Sequence, residues 1–187
     1  MISEQIGFIG LGNVGEKLAN NLLSKKKLFI FDINNKAFLK FNNCNVHFCS
    51  NLKELAENCS IIITCLPSPS SVHKVINILL PYINKNHLWI EMSTTDKDLL
   101  IKLSNLFKKK GGNIVEAPIT GGEHRAKSGN ISILVSGNKL NFNRAFPILS
   151  KLGHKILYCG KLGNASILKV ITNYLASLHL VGIGEAL

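Results

Sequence analysis

Short apolar runs recur along the chain, and the stretches between them carry apolar residues at helical spacing. Runs at 5–9, 28–32, 46–49, 60–66, 87–92, 113–117, 131–135 and 155–158 predict strands. Between the first two, Val14, Leu18, Leu22 and Leu23 give a helix one apolar face. Leu99, Leu100, Leu103 and Phe107 do the same later, and Gly111-Gly112 supplies the stop. Strand and helix in alternation mark right-handed βαβ units, so the expected fold is α/β, with a doubly wound, mostly parallel sheet. Three loops are expected at the C-terminal ends of strands, the edge where open α/β sheets hold ligands. They are Leu66–Ser71, ahead of a helix beginning near Val72, then Glu91–Thr95 and Ala117–Gly122. From Asn164 to Leu187 no proline intervenes, and Ile167, Leu168, Ile171, Leu175, Leu178 and Val181 predict a broad apolar surface on one long C-terminal helix.

The most informative local pattern is Gly10-Leu11-Gly12-Asn13-Val14-Gly15, directly after the first strand, with Asp32 closing the second. Gly10 permits a tight turn, Gly12 lets backbone amides approach a pyrophosphate, and Gly15 lets the helix lie against the strand. The phosphates would rest at a helix N-terminus, where unpaired donors and the dipole favour an anion. A carboxylate at the end of the second strand bonds a ribose 2′-hydroxyl and repels a 2′-phosphate. Asp32 therefore argues for NAD over NADP, softened by nearby Lys36. These features make the expected fold Rossmann-type, with residues 1–162 as an NAD(P)-binding domain and 163–187 as the start of an interdomain helix. The apolar surface of that helix exceeds what the preceding domain can cover, which suggests a longer protein continuing into a further domain.

Composition narrows the function classes. The chain is 46% hydrophobic and 18% charged, with a net charge of +11. Nearly all of the positive charge is lysine spread along the chain, and its tight groups, Lys25–Lys27 and Lys108–Lys110, fall where helices end. Arginine occurs only at 125 and 144, without aromatic interleaving, so no nucleic-acid partner is expected. A solvated basic surface that attracts small anions fits better. No stretch reads as apolar enough to span a bilayer, and no targeting segment is recognised. Cys44, Cys49, Cys59, Cys65 and Cys159 form an odd set without a C-x-x-C pair, which points to a reducing cytoplasm, with Cys65 as a small core residue. The six histidines form no H-x-x-x-H pair and no cluster with cysteine at metal spacing, so no metal is expected. His124 follows the 117–122 loop, where a solvated residue is the plainer reading and a substrate contact the other.

Lys169 and Asn173 stand one turn apart on the long helix, beside Ala165, Ser166, Ala176 and Ser177. Such a lysine can face a cleft, where desolvation lowers its pKa toward proton exchange, or mark a solvated face; spacing alone favours the latter.

Several of these segments together resemble the β-hydroxyacid dehydrogenase family, which includes 3-hydroxyisobutyrate dehydrogenase and tartronate semialdehyde reductase. They are the glycine fingerprint, Cys65-Leu66-Pro67, Met92-Ser93-Thr94, Ala117–Gly122, Gly129-Asn130-Ile131, and Gly160–Gly163 running into Lys169 and Asn173. The resemblance implies Lys169 as general acid/base and Asn173 as substrate-orienting. It implies Thr120, Gly121 and Gly122 as the carboxylate site, with Ser93 and Thr94 beside the nicotinamide ribose and Leu66 and Pro67 along the cofactor. It also implies a small anionic hydroxy-acid substrate, a homo-oligomeric full-length form, and an all-helical C-terminal domain that this sequence lacks. Thr120 stands where serine is usual, Ala165 where glycine is common, and Glu116 where aspartate is frequent. Related 6-phosphogluconate dehydrogenases typically have histidine at the place of Thr172, and imine reductases generally lack the lysine. A nucleotide-binding fragment without turnover is the alternative.

Overall fold

The computed structural model describes residues 4–24, 27–41 and 45–187. Lys25, Lys26 and Cys44, named above, lie outside the described residues. Six parallel strands run through the N-terminal two thirds: β1 (Ile6–Ile9), β2 (Leu28–Phe31), β3 (Val46–Phe48), β4 (Ile61–Thr64), β5 (Leu88–Glu91) and β6 (Asn113–Glu116). They lie in the order β3-β2-β1-β4-β5-β6, the order of a dinucleotide fold with its switch point between β1 and β4. β4 and β5 are buried along their whole length, as both faces of the sheet are covered.

The far edge departs from a purely parallel sheet. β8 (Ser132–Gly137) runs antiparallel to β6, carries the two-residue β7 (Ile119–Thr120), and pairs in parallel with β9 (Lys155–Tyr158). β7 is too short to show a periodicity and was expected as loop. Expected strand bounds also shrink: 60–66 becomes Ile61–Thr64, while 131–135 shifts to Ser132–Gly137.

Helices cover both faces. One core gathers Phe8, Leu18, Ile30, Ile63, Ile90 and Val135 under α1 (Asn13–Asn21), α5 (Gly122–Lys127) and α6 (Lys139–Leu152). The other gathers Ile62, Trp89, Ile114 and Phe107 under α2 (Leu52–Asn58), α3 (Pro69–Leu79) and α4 (Lys97–Lys109). α3 begins at Pro69 rather than near Val72: the Ser68 side chain caps Ser71 N–H and proline suits the first turn, where its missing N–H costs nothing. α4 ends with Lys108 and Lys109 in its last turn and Gly111 at φ +89°, as its sequence predicts.

The final helix, α7 (Asn164–Ala186), meets the body through its first turn, where Ala165 and Ser166 are buried. Farther along, Ile167, Val170, Ile171, Tyr174, Leu175, Leu178 and Val181 are exposed, and so are Leu180 and Ile183 on the other side. One expectation fails here: α7 is, by length and composition alone, long and apolar enough to cross a membrane, with a mean hydropathy of 1.4 over its most apolar window.

Candidate active site

A cleft of about 910 Å³ opens along the C-terminal ends of β1, β2, β4 and β5. Its centre is the turn from β1 into α1. Gly10 has φ +96°, and a Cβ there would lie 2.3 Å from the Cys65 carbonyl oxygen; one on Gly15 would lie 2.0 Å from the Gly10 carbonyl oxygen. Both positions exclude side chains by contact with backbone, which cannot yield. Gly12 differs, because a Cβ there meets nothing within 4 Å. Its lack of a side chain therefore serves the cleft rather than the fold. Gly12 is the N-cap of α1 and offers no side-chain acceptor, so the first amides of the helix face the cleft uncapped.

Asp32 lines the same cleft, and both of its oxygens accept from backbone: Leu11 N–H at 2.6 Å and Asn34 N–H at 2.8 Å. The second bond folds the chain after β2 into a turn; the first joins the ends of β1 and β2. Leu11, expected among the cofactor contacts, is instead buried and absent from the lining, its amide already bonded to Asp32. Gly10, Gly12, Asn13, Val14, Gly15, Asp32, Leu66, Pro67, Ser93 and Thr94 are brought together along this cleft. Ser93 Oγ accepts from Leu66 N–H at 2.8 Å, tying two of these loops together.

Lys169 reaches the cleft from α7 and is partly buried. Burial lowers its pKa, since partial desolvation disfavours the charged ammonium. Ile119 and Gly122 line the space too, whereas Thr120 and Gly121 flank it without lining it, and Asn173 is exposed outside it. His124 sits on α5, exposed and outside the cleft.

The sequence reading missed Ser71, Lys74, Val75 and Ile78 on α3, which form one wall. Their i, i+3, i+4, i+7 spacing was the available signal, obscured by placing the helix start too late. Cys65 packs against the larger core, as its apolar run predicts, and also lines the cleft; burial, then Glu91, pushes its thiol up to about 12.

The fold also brings His47, Cys49 and Glu54 within 4.8 Å of one another, a cluster of metal-ligating types that spacing had not shown. Glu54 is already engaged, with His47 Nε2 at 2.6 Å and the amide and hydroxyl of Ser50 at 2.7 Å. These partners, His47 foremost, hold its carboxyl down at about 2, and burial, then Glu54, push the Cys49 thiol up to about 12. The group closes the start of α2 and keeps the thiol protonated.

Residues 5–160 match the family described as the NAD binding domain of 6-phosphogluconate dehydrogenase. The chain belongs to this family. It is an NAD(P)-binding domain, and the cleft fits that cofactor: a glycine that leaves room at the phosphate turn, an uncapped helix start and a carboxylate at the second strand. Among curated relatives, rat (Rattus norvegicus) mitochondrial 3-hydroxyisobutyrate dehydrogenase is 32% identical over 97% of this chain. The chain spans 56% of that relative's length. A Mycobacterium tuberculosis 3-hydroxyisobutyrate dehydrogenase structure, described with L-serine, superposes with a TM-score of 0.91 at 26% identity, covering 99% of this chain and 64% of that one. An imine reductase variant from Myxococcus stipitatus in complex with NAD+ has the same fold at 15% identity, with a TM-score of 0.90 over 99% of this chain and 65% of its own.

Proposed function

We propose that this chain supplies the cofactor site and the proton-transfer lysine of an NAD(P)-dependent β-hydroxyacid dehydrogenase acting on a 3-hydroxyisobutyrate-like acid and its semialdehyde. The observation that carries the reading is Lys169: an amine with a lowered pKa lines the same cleft as Ser93, Thr94 and Gly122. When bound there, the nicotinamide ring accepts or returns the hydride. Lys169 in its neutral form takes the proton of the substrate hydroxyl and gives it back in the reverse direction, and its lowered pKa makes the neutral form accessible. The α1 amides would hold the pyrophosphate, Ser93 and Thr94 the nicotinamide ribose, and Gly122 the substrate carboxylate, with Thr120 and Gly121 flanking it. Asn173 joins the substrate only if the rest of a longer protein closes over its exposed face.

A second reading, cofactor binding without turnover, is favoured by one fact: the chain spans little more than half the length of its dehydrogenase relatives. The deciding experiment measures NAD binding and 3-hydroxyisobutyrate oxidation for the native chain and Lys169→Ala. Turnover lost with binding retained supports the proton-transfer role. Turnover equal in both removes Lys169 from the reaction, and absence of turnover in both supports binding alone.

NAD is the proposed cofactor over NADP. Asp32 places a carboxylate where a 2′-phosphate would sit, with Lys36 nearby in sequence but not lining the cleft. NAD should bind at least about tenfold more tightly, a difference of about 1.4 kcal/mol. Asp32→Ala should narrow that ratio; an unchanged ratio would contradict the assignment. A reducing compartment is proposed on the spacing of the cysteines, an odd set without a C-x-x-C pair. With Ser166 buried against the sheet and Lys169 in the cleft, α7 is proposed to stay with the nucleotide-binding domain rather than enter a membrane.

A further inference from the structure

A buried row of polar side chains crosses four strands on the α4 side of the sheet. Thr64, Glu91 and Glu116 stand in register on β4, β5 and β6, and Ser136 on β8 is paired with Glu116. All four are 0–1% exposed. At one end Trp89 Nε1 donates to Thr64 Oγ1 at 2.7 Å, and Thr64 donates to Glu91. At the other end Glu116 gathers the start of α7. Its Oε1 accepts from Ser136 Oγ, Gly163 N–H and, at 3.3 Å, Ala165 N–H. Its Oε2 accepts from Ser166 N–H at 3.1 Å and Ser166 Oγ at 2.5 Å.

The N-cap of α7 is Gly163, which has no side chain to satisfy the first amides of the helix. A carboxylate from another strand performs that service, and its charge also suits the positive end of the helix dipole. Lys169 lies three residues beyond Ser166, so the clamp fixes the turn directly below the lysine. Beyond this turn the exposed apolar residues of the helix begin, at Ile167.

We propose that Glu116 is a positioning residue for Lys169: by clamping the first turn of α7 from β6, it sets the depth at which the amine enters the cleft. This rests on the reading of Lys169 as the proton carrier, but it concerns only where the amine sits. Glutamine at 116 would turn an NH2 group toward amides that are themselves donors and release part of the turn. Aspartate would keep the charge and acceptors on a shorter stem.

The test follows the Lys169 side chain directly, by NMR titration of the full chain with 13C-labelled lysine, assigned through Lys169→Arg. NAD is titrated in parallel to confirm that the glycine turn is intact. In Glu116→Gln the Lys169 midpoint should rise by about 1 pH unit as the amine regains solvent. Amides 163–166 should exchange at least about tenfold faster than in the native chain. Glu116→Asp should restore most of both, and Ser166→Ala, which deletes one donor and spares the carboxylate, should shift both in the same direction by less. A folded, NAD-binding Glu116→Gln or Ser166→Ala with an unmoved Lys169 midpoint would overturn the proposal, even if its melting temperature fell. If Glu116→Gln does not fold, Ser166→Ala decides. Because no turnover is read, failure of the dehydrogenase assignment would show separately, in the Lys169→Ala assay.

Discussion

Gly15 and Gly12 divide the work of the turn after β1: Gly15 serves the fold and Gly12 serves the ligand. Alanine at Gly15 would press its Cβ to 2.0 Å from a carbonyl oxygen, so Gly15→Ala should cost several kcal/mol of stability, comparable with severe overpacking, and lose NAD with it. Gly12→Ala meets no atom within 4 Å and has an ordinary backbone at φ −63°, so its melting temperature should stay close to native while NAD binding weakens at least tenfold. Thermal melts with NAD titration separate the two; equal destabilisation would contradict the distinction. The glycine pattern was legible in the sequence because its demands are local to one turn. The amide of Leu11 bonding Asp32 was not, since it joins residues 21 apart and depends on the register of β1 with β2. The burial of Lys169 was equally invisible: helical spacing shows which residues share a face, but not which face meets the cleft.

At the scale of elements, β4, β5 and β6 read clearly because each is built on adjoining apolar residues, and their register then assembles what no run displays. Glu91 and Glu116 each close such a run, and pairing of the strands sets them side by side beneath the sheet edge. Burial pushes the Glu91 carboxyl up to about 7, against the bonds from Ser93 and Thr64 that lower it, with the neighbouring Glu116 adding to the rise. A carboxyl raised in the folded state favours folding while protonated. Its contribution is full below about pH 4.5, the ordinary value, and is lost as pH rises through about 7. Native chain and Glu91→Gln should therefore have a stability difference that is flat at low pH. Across that window the native chain should weaken relative to the variant by roughly 2–3 kcal/mol. Denaturant melts from pH 4 to 8 would read it, and a difference constant across the range would contradict the buried, raised carboxyl. The same pairing explains what the sequence left out at this scale: β7 has only two residues and exists through its bonds to β8, while α3 starts early because Ser68 and Pro69 form its first turn.

For the whole molecule, the order of strands dictates where chemistry is possible. Reversal of direction between β1 and β4 opens the crevice, and the loops after β1, β2, β4 and β5 all enter it. Fold class and the cofactor end of the site were legible because alternation and glycine spacing recur over long stretches. The substrate end was not, because Thr120, Gly121 and Asn173 lie beside the cleft rather than in it, and the chain spans 56% of its dehydrogenase relative. The net charge of +11 favours anions at the protein surface in general, so NAD binding should weaken as salt rises. The most direct test of the account is a crystal structure of the chain with NAD. It should show the adenine ribose at Asp32, the pyrophosphate over Gly12 and the start of α1, and the nicotinamide beside Ser93 and Thr94 with Lys169 Nζ facing the same space. A dinucleotide bound elsewhere, or an ammonium at 169 turned to bulk solvent away from the nicotinamide, would contradict it.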